Sequence, residues 1–316
     1  VRARTHIVRA LITGASGFVG NHLVAHLREQ GDHTLCPDTD ITDREALIAA
    51  FDRLRPEVVY HLAAQADVGG SWDHPVETMK VNVEGTMNVL DAARLAGATR
   101  VLAVNSADVY GVVDESELPL SESSEIRPAS PYAASKAAAE MLCIQATRGY
   151  GLDVIRARSC NHLGPGQSDR FVASAIAHRI VDNEVGGDRS VKIGNLAARR
   201  DFTDVRDVVR AYRLLVLSGR AGEVYNVCSG VDRSIREIAE MLVGLADNQM
   251  SLEPDPDLMR PVDLLVVRGD NSKLREATGW EPLIQIENTL SDLLGYWRQQ
   301  RSMNQTDPSK LQEGQP

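Results

Sequence analysis

Apolar residues follow two rhythms along this chain. Residues 7–13 (IVRALIT) form a short apolar run that ends at a glycine, which predicts a buried strand. In residues 18–30, Phe18, Val19, Leu23, Val24 and Leu27 fall on one helical face. A weak strand over 33–36 follows, then an amphipathic helix over 43–54 opened by Thr42 or Asp43 as N-cap, then a buried strand over 58–62. The spacing predicts long helices over 77–95 and 131–149, with strands over 100–105 and 154–158. Beyond Gly164 the pattern loosens. Helices are expected over 171–183, 205–217, 234–245 and 286–299, with short strands over 191–193 and 224–227. No internal repeat is visible. Strand–helix alternation of this kind builds an α/β protein with a doubly wound parallel sheet.

The glycines sharpen that expectation. Thr13-Gly14-Ala15-Ser16-Gly17-Phe18-Val19-Gly20 joins the first strand to the first helix. Gly14 permits a tight turn, Gly17 lets the backbone approach a pyrophosphate, and Gly20 lets helix and strand pack closely. The helix N-terminus then offers N–H groups and a positive dipole end to phosphates. The expected cofactor contacts are Gly14, Ser16, Gly17, Phe18, Val19 and Gly20; the plain alternative is a tight turn alone. The fold class is therefore α/β, Rossmann-like, with a smaller mixed α/β C-terminal substrate domain. Residues 1–165 are expected to form mainly the dinucleotide-binding domain and 166–300 mainly the substrate domain, with the chain crossing between them.

Composition narrows the partners. The 316 residues are 43% hydrophobic, enough for a sizeable core and too long for one minimal domain. A net charge of −10 without a basic stripe excludes nucleic acid as the expected partner. Cys36, Cys143, Cys160 and Cys228 are far apart and show no C-x-x-C spacing. They read as buried thiols in a reducing compartment, which points to the cytoplasm, and not as a zinc site. No run reaches the length of a membrane span. Residues 1–6 lead straight into a strand, unlike a signal peptide, and 301–316 read as a disordered tail.

Two clusters carry candidate chemistry. Past the second strand, Asp38 is placed to meet ribose hydroxyls, and Asp40-Ile41 to face an adenine. The competing reading makes Asp38, Asp40 and Asp43 turn formers and helix caps. Nothing fixes their geometry for a metal, and none is expected. No Arg or Lys follows the strand to receive a 2′-phosphate, which favours NAD over NADP. The second cluster is Ser130-Pro131-Tyr132-Ala133-Ala134-Ser135-Lys136, which puts Tyr132 and Lys136 one helical turn apart on one face. An ammonium near the phenol is expected to lower the Tyr132 pKa, suiting it to exchange a proton with a sugar hydroxyl or carbonyl. Lys136 can also hold nicotinamide-ribose hydroxyls. Ser106, ending another predicted strand, can donate to the same oxygen, and Asp108 offers a further acid or base. A lone Y-x-x-x-K is otherwise an ordinary surface pair.

Together these segments resemble the extended short-chain dehydrogenases/reductases over residues 7 to about 300. The likeness rests on Thr13 to Gly20, His61-Leu62-Ala63-Ala64, Asn82-Val83-Glu84-Gly85-Thr86, Ser106 and Tyr132/Lys136. Within that superfamily the chain looks most like GDP-4-keto-6-deoxymannose reductases and GDP-mannose 4,6-dehydratases. The pointing stretches are Asn161 to Gln167, Gly194-Asn195-Leu196, Arg200 to Asp207, Tyr225 to Gly230 and Arg260-Pro261. The resemblance implies that Leu62, Ala63 and Ala64 line the cofactor. It also implies that Asn161, Arg200 and Arg260 hold a substrate diphosphate and ribose, with Phe171, Val172, Arg179 and Lys192 at the nucleotide end. Read without the family, Arg200-Asp201 is a surface ion pair and Asn161-His162 a capped turn.

The chain departs from the pattern in one place: the segment between the second strand and Asp40 is short and lacks a basic residue. That handicaps an NADPH-consuming reductase more than an enzyme that recycles NAD. The expected activity is reduction of a GDP-linked sugar at C4. The alternatives are 4,6-dehydration, or GDP-sugar epimerisation or ring isomerisation without net redox change and even without a dinucleotide. A binding module that has kept the fold needs no Ser106, Tyr132 and Lys136. The resemblance also implies a homodimer, the two long helices pairing into a four-helix bundle; the alternative packs both on their own sheet.

Overall fold

A computed structural model describes residues 7–259 and 264–306. The chain runs β1 (Arg9–Thr13), α1 (Phe18–Glu29), β2 (His33–Leu35), α2 (Arg44–Leu54), β3 (Val58–His61), a short α3 (Gly70–Asp73) and α4 (Pro75–Met79). Then come α5 (Gly85–Ala96), β4 (Arg100–Ser106), α6 (Pro131–Tyr150), β5 (Val154–Ser159), β6 (Asn161–Leu163), α7 (Val172–Gly186) and β7 (Ser190–Ile193). The remainder is β8 (Arg199–Asp204), α8 (Val205–Ser218), β9 (Val224–Val227), β10 (Asp232–Ser234), α9 (Ile235–Gly244), β11 (Ser251–Pro254), α10 (Ser272–Thr278) and α11 (Ile286–Thr306). The last helix thus continues into the expected tail. The rest of that tail, residues 1–6 and Arg260 lie outside the described residues.

The chain divides into two compact units. The first comprises Val1–His162, Arg200–Asp232 and Leu264–Leu283; the second comprises Leu163–Arg199, Arg233–Asp263 and Ile284–Pro316. The first unit is built on a six-stranded sheet of order β2-β1-β3-β4-β5-β9, with every described pairing parallel. Its two faces explain the unbroken apolar runs. Ala10 and Ile12 of β1, Tyr60 of β3 and Leu102 of β4 pack with Leu23, Leu27, Tyr212, Leu215 and Trp280. Their neighbours Leu11, Val59, Val101 and Ala103 turn to the opposite face, against Leu47, Phe51, Val89, Ala93 and Cys143. A strand covered on both sides needs apolar residues at every position. The strand order reverses between β1 and β3, which opens a crevice at their carboxyl ends.

The second unit packs α7, α9 and α11 with the parallel pair β7–β11, in which Val191 pairs with Leu252 and Ile193 with Pro254. Three short strands form a sheet of order β10-β8-β6. Polar β6 and β8 lack apolar alternation and escape a reading by hydrophobic rhythm.

The long helix expected over 77–95 starts at Pro75 and is interrupted by a π-helical segment over Lys80–Glu84. Asn82 explains the widened turn. Its side chain accepts from the Gln65 N–H (2.8 Å) and donates to the Gln65 carbonyl (3.0 Å) and the Ser135 hydroxyl (2.8 Å). Three hydrogen bonds to two residues outside the helix hold that residue where a regular turn would not put it.

Candidate active site

The glycine loop is shaped by close backbone approach. Gly14 has φ +72°, and a Cβ there would stand 2.8 Å from the Ala63 nitrogen. A Cβ on Gly20 would lie 2.1 Å from the Gly14 carbonyl oxygen, so only glycine lets α1 sit so near the turn. Gly17 is the N-cap of α1 and supplies no side-chain cap. The first turn of α1 therefore presents main-chain N–H groups without a side chain covering them, beside the exposed Ser16 and Gly17. That fits a dinucleotide diphosphate. Phe18 stacks on His162 (ring centres 6.2 Å apart) and meets His22 edge-on (5.5 Å). Val19 packs into the core.

Across the crevice, β3 ends at His61. Its Nδ1 lies 2.8 Å from the Thr13 hydroxyl and its Nε2 3.0 Å from that of Thr86. The Thr13 hydroxyl also accepts from the Ala63 N–H (3.3 Å), tying the Leu62-Ala63-Ala64 segment to the glycine loop. Burial, with Lys136 nearby, pushes the His61 pKa down to about 3, so the ring is neutral.

The aspartates past β2 have structural work. Asp40 Oδ1 accepts from the Thr42 N–H (2.8 Å) and hydroxyl (2.9 Å), which holds its carboxyl below the ordinary range. Asp43 caps α2 by accepting from the Ala46 N–H (3.0 Å). Ile41 is buried in the core under Gly85, and its carbonyl accepts from Asn88 Nδ2 (3.1 Å). Asp38 is exposed just past β2. Folding also brings a cation there that linear order does not show. Arg28 of α1 donates to the Thr34 hydroxyl (2.9 Å) and its charge acts on the Cys36 thiol.

The proton-transfer candidates meet. Ser130 caps α6 through the Ala133 N–H (3.1 Å), and Pro131 occupies the first turn. Tyr132 and Lys136 follow on one face, both buried. The Tyr132 hydroxyl lies near enough to Ser106, at the end of β4, for that residue to lower its pKa. The Ser106 hydroxyl accepts from the Asp108 N–H (3.2 Å), and Lys136 Nζ donates to the Val104 carbonyl (3.0 Å). Burial and the Asp108 charge push the Tyr132 pKa up, with Ser106 opposing. This corrects the expectation of a phenol acidified by Lys136. The lysine is not among the groups that set that shift, and its own pKa falls to about 8 through burial.

Spacing alone misses the supports of this cluster. Ser71 accepts from the Tyr132 N–H (3.2 Å), and Ser135 donates to the Tyr132 carbonyl (2.7 Å) while accepting from Asn82 (2.8 Å).

The substrate candidates divide by unit. In the first, Asn161 is exposed on β6, not in a capped turn. Arg200 and Asp201 are buried on β8, which corrects the surface ion pair. Arg200 Nη1 donates to the Leu264 carbonyl (2.5 Å). Asp201 accepts from the Ser229 N–H and hydroxyl (2.8 and 2.6 Å), the Gly230 N–H (2.9 Å) and the Gly269 N–H (3.3 Å). Cys160 and Cys228, both free thiols, bring their sulfurs within 4.8 Å of that carboxylate. Donors already occupy both its oxygens, so it ties the Ser229–Gly230 loop and the Gly269 segment to β8. In the second unit, Phe171 and Val172 open α7, Arg179 donates to the Lys192 carbonyl (2.8 Å), and the Lys192 ammonium is exposed 3.8 Å from Asp255.

Residues 35–293 match the family model described as GDP-mannose 4,6 dehydratase. The chain is 40% identical over 297 residues to a GDP-6-deoxy-D-mannose reductase of Pseudomonas aeruginosa, covering 92% of this chain and 97% of that protein. It is 33% identical to a UDP-glucose 4-epimerase of Mycolicibacterium smegmatis, covering 92% and 99%. Among solved structures it resembles RMD from Pseudomonas aeruginosa complexed with NADPH. The TM-score is 0.87 and the identity 38%, over 93% of this chain and 99% of that one.

Proposed function

The chain belongs to the GDP-mannose 4,6 dehydratase family, and from that premise we propose that it is an NAD(P)-dependent reductase of a GDP-linked 4-keto-6-deoxyhexose, acting at sugar C4. One observation carries the reading: the fold brings Ser106 at the end of β4 near the buried Tyr132, with Lys136 one turn along the same helix. The 40% identity to a GDP-6-deoxy-D-mannose reductase supports it.

Gly14, Gly17, Gly20 and the α1 N-terminus hold the cofactor diphosphate, with Ser16, Phe18 and Val19 beside them. Asp38, Asp40 and the Ile41 main chain serve the adenosine end, and Leu62, Ala63 and Ala64 line the opposite wall. Arg28 gives that end a cation for a 2′-phosphate, so NADP is admitted beside NAD. When bound, the reduced cofactor supplies the hydride. Ser106 and Tyr132 donate to the ketone oxygen, and Tyr132 gives up its proton as that oxygen gains charge. A tyrosine kept as phenol by burial is the form this step needs. Lys136, anchored on Val104, places a cation below the site and holds nicotinamide-ribose hydroxyls. Asn161 and Arg200 serve the sugar diphosphate, with Phe171, Val172, Arg179 and Lys192 at the base and Arg260 as a further cation.

The test is oxidation of NADPH and of NADH by the purified protein with GDP-4-keto-6-deoxymannose. No turnover with either removes the reading. One observation favours a second: Asp108 acts on Tyr132 and supplies the additional acid or base that 4,6-dehydration needs. A 4-keto product from GDP-mannose without added cofactor would support it. Native mass spectrometry for bound dinucleotide separates both from a non-redox isomerase.

We further place the protein in the cytoplasm as a homodimer. The four free cysteines fit the first, and exposed Met79, Met87, Leu95 and Met141 on α4, α5 and α6 fit the second. Among the described residues no helix is long and apolar enough to cross a membrane. Light scattering across concentrations tests the dimer.

A further inference from the structure

Tyr132, Lys136 and Glu140 follow one another at four-residue spacing on α6, and Glu140 is completely buried. A buried carboxylate must be paired. Arg158 of β5 grips it with a fork: Nε donates to Oε2 (3.0 Å) and Nη2 to Oε1 (2.7 Å). Arg156 and Asn105 fill the remaining positions, at 3.1 and 3.0 Å.

The other side of the Arg158 guanidinium does something different. Nη1 donates to the Tyr110 hydroxyl (3.0 Å) and to the Glu122 carbonyl (3.2 Å). The guanidinium carbon lies 5.0 Å from the centre of the Tyr110 ring. The Tyr110 hydroxyl in turn donates to Asn226 Oδ1 (2.6 Å) on β9. Tyr110 ends the 3-10 turn Ala107–Tyr110, which starts directly after Ser106 and carries Asp108.

We propose that Arg158 is a positioning residue for the proton-transfer pair, locking the turn of Ser106 and Asp108 to the helix of Tyr132 and Lys136 through Glu140 on one side and Tyr110 on the other. The inference rests on the reductase reading above. A plain ion pair would need one fork; this guanidinium uses four N–H bonds on three separate segments. Buried ion pairs by themselves add little to stability, whereas a planar fork fixes geometry. Lysine, a point donor, can satisfy Glu140 or Tyr110 but not bridge them.

The experiment compares wild type, Tyr110→Phe and Arg158→Lys by steady-state kinetics and by amide hydrogen exchange. Tyr110→Phe keeps the ring and the Glu140–Arg158 fork, so it decides the matter even if Arg158→Lys fails to fold. A small displacement of reacting groups costs up to roughly 100-fold in rate. The expected result for Tyr110→Phe is a kcat lower by about 10- to 100-fold with KM little changed. Exchange should quicken over 107–111 while 18–29 stays as in wild type; a loss of global stability would quicken both. The double variant should be no slower than Arg158→Lys alone, since both remove one linkage. Unchanged kcat, or unchanged exchange over 107–111, overturns the proposal. A wild type that reduces no GDP-keto sugar sinks the reductase reading instead, and exchange alone then decides whether Arg158 fixes the turn.

Discussion

His61 makes the fold's stability depend on acidity in a window that can be worked out. The ring is buried between the Thr13 and Thr86 hydroxyls, and its pKa falls from an ordinary 6.5 to about 3 through burial and the Lys136 charge. The unfolded chain therefore binds more protons than the folded one between those two values. Stability rises with pH across that window: it is fully present above about 6.5 and is lost as pH falls towards 3. At 1.36 kcal/mol per unit, moving from pH 7 to pH 5 removes about 2 kcal/mol. Asp201 works in the opposite sense. Burial lifts its pKa from 3.8 to about 6, so it favours the fold on acidification through that range. A wild-type curve mixes both groups, and the difference from His61→Gln isolates one. Urea unfolding at pH 5 and 7 is the assay. The wild type should lose about 2 kcal/mol more than His61→Gln over that interval. Equal losses in the two proteins would show that the ring is not held neutral in the fold.

Three further outcomes follow from particular contacts. Tyr132→Phe keeps the buried ring but removes the hydroxyl near Ser106; turnover should fall by roughly 100-fold or more with the melting temperature little moved, as activity assay and calorimetry would show. In Gly20→Ala the new methyl would stand 2.1 Å from the Gly14 carbonyl and 2.7 Å from the Ala15 Cα, and neither backbone atom can yield. NAD(P)H binding, followed by fluorescence, should be lost and the melting temperature should drop. In Gly269→Ala the methyl would meet Cys228 Sγ at 2.6 Å and Cys160 Sγ at 3.3 Å, costing about 1–3 kcal/mol by overpacking. Adding Cys228→Ala should restore much of that loss in a denaturant titration.

What the sequence discloses depends on how far each residue's partners lie along the chain. The strands β1, β3 and β4 are legible because both their faces are apolar. The glycine loop is legible because much of its constraint is local: Gly14 turns with φ +72°, and a Cβ on Gly20 would strike the Gly14 carbonyl six residues back. Polar β8 is invisible to the same reading: Asp201 is held by Ser229, Gly230 and Gly269, 28, 29 and 68 positions away. Arg28 reaches the β2 region from the preceding helix, so a search downstream of the strand passes it by. The proton-transfer site shows the limit most clearly. Four-residue spacing places Tyr132 and Lys136 on one face, yet it says nothing about solvent, and burial sets their protonation. Burial raises the phenol, lowers Lys136 to about 8 and keeps His61 neutral. At neutral pH such a site holds a proton on Tyr132 ready to give. A proton held on Tyr132 is what donation to a ketone oxygen requires.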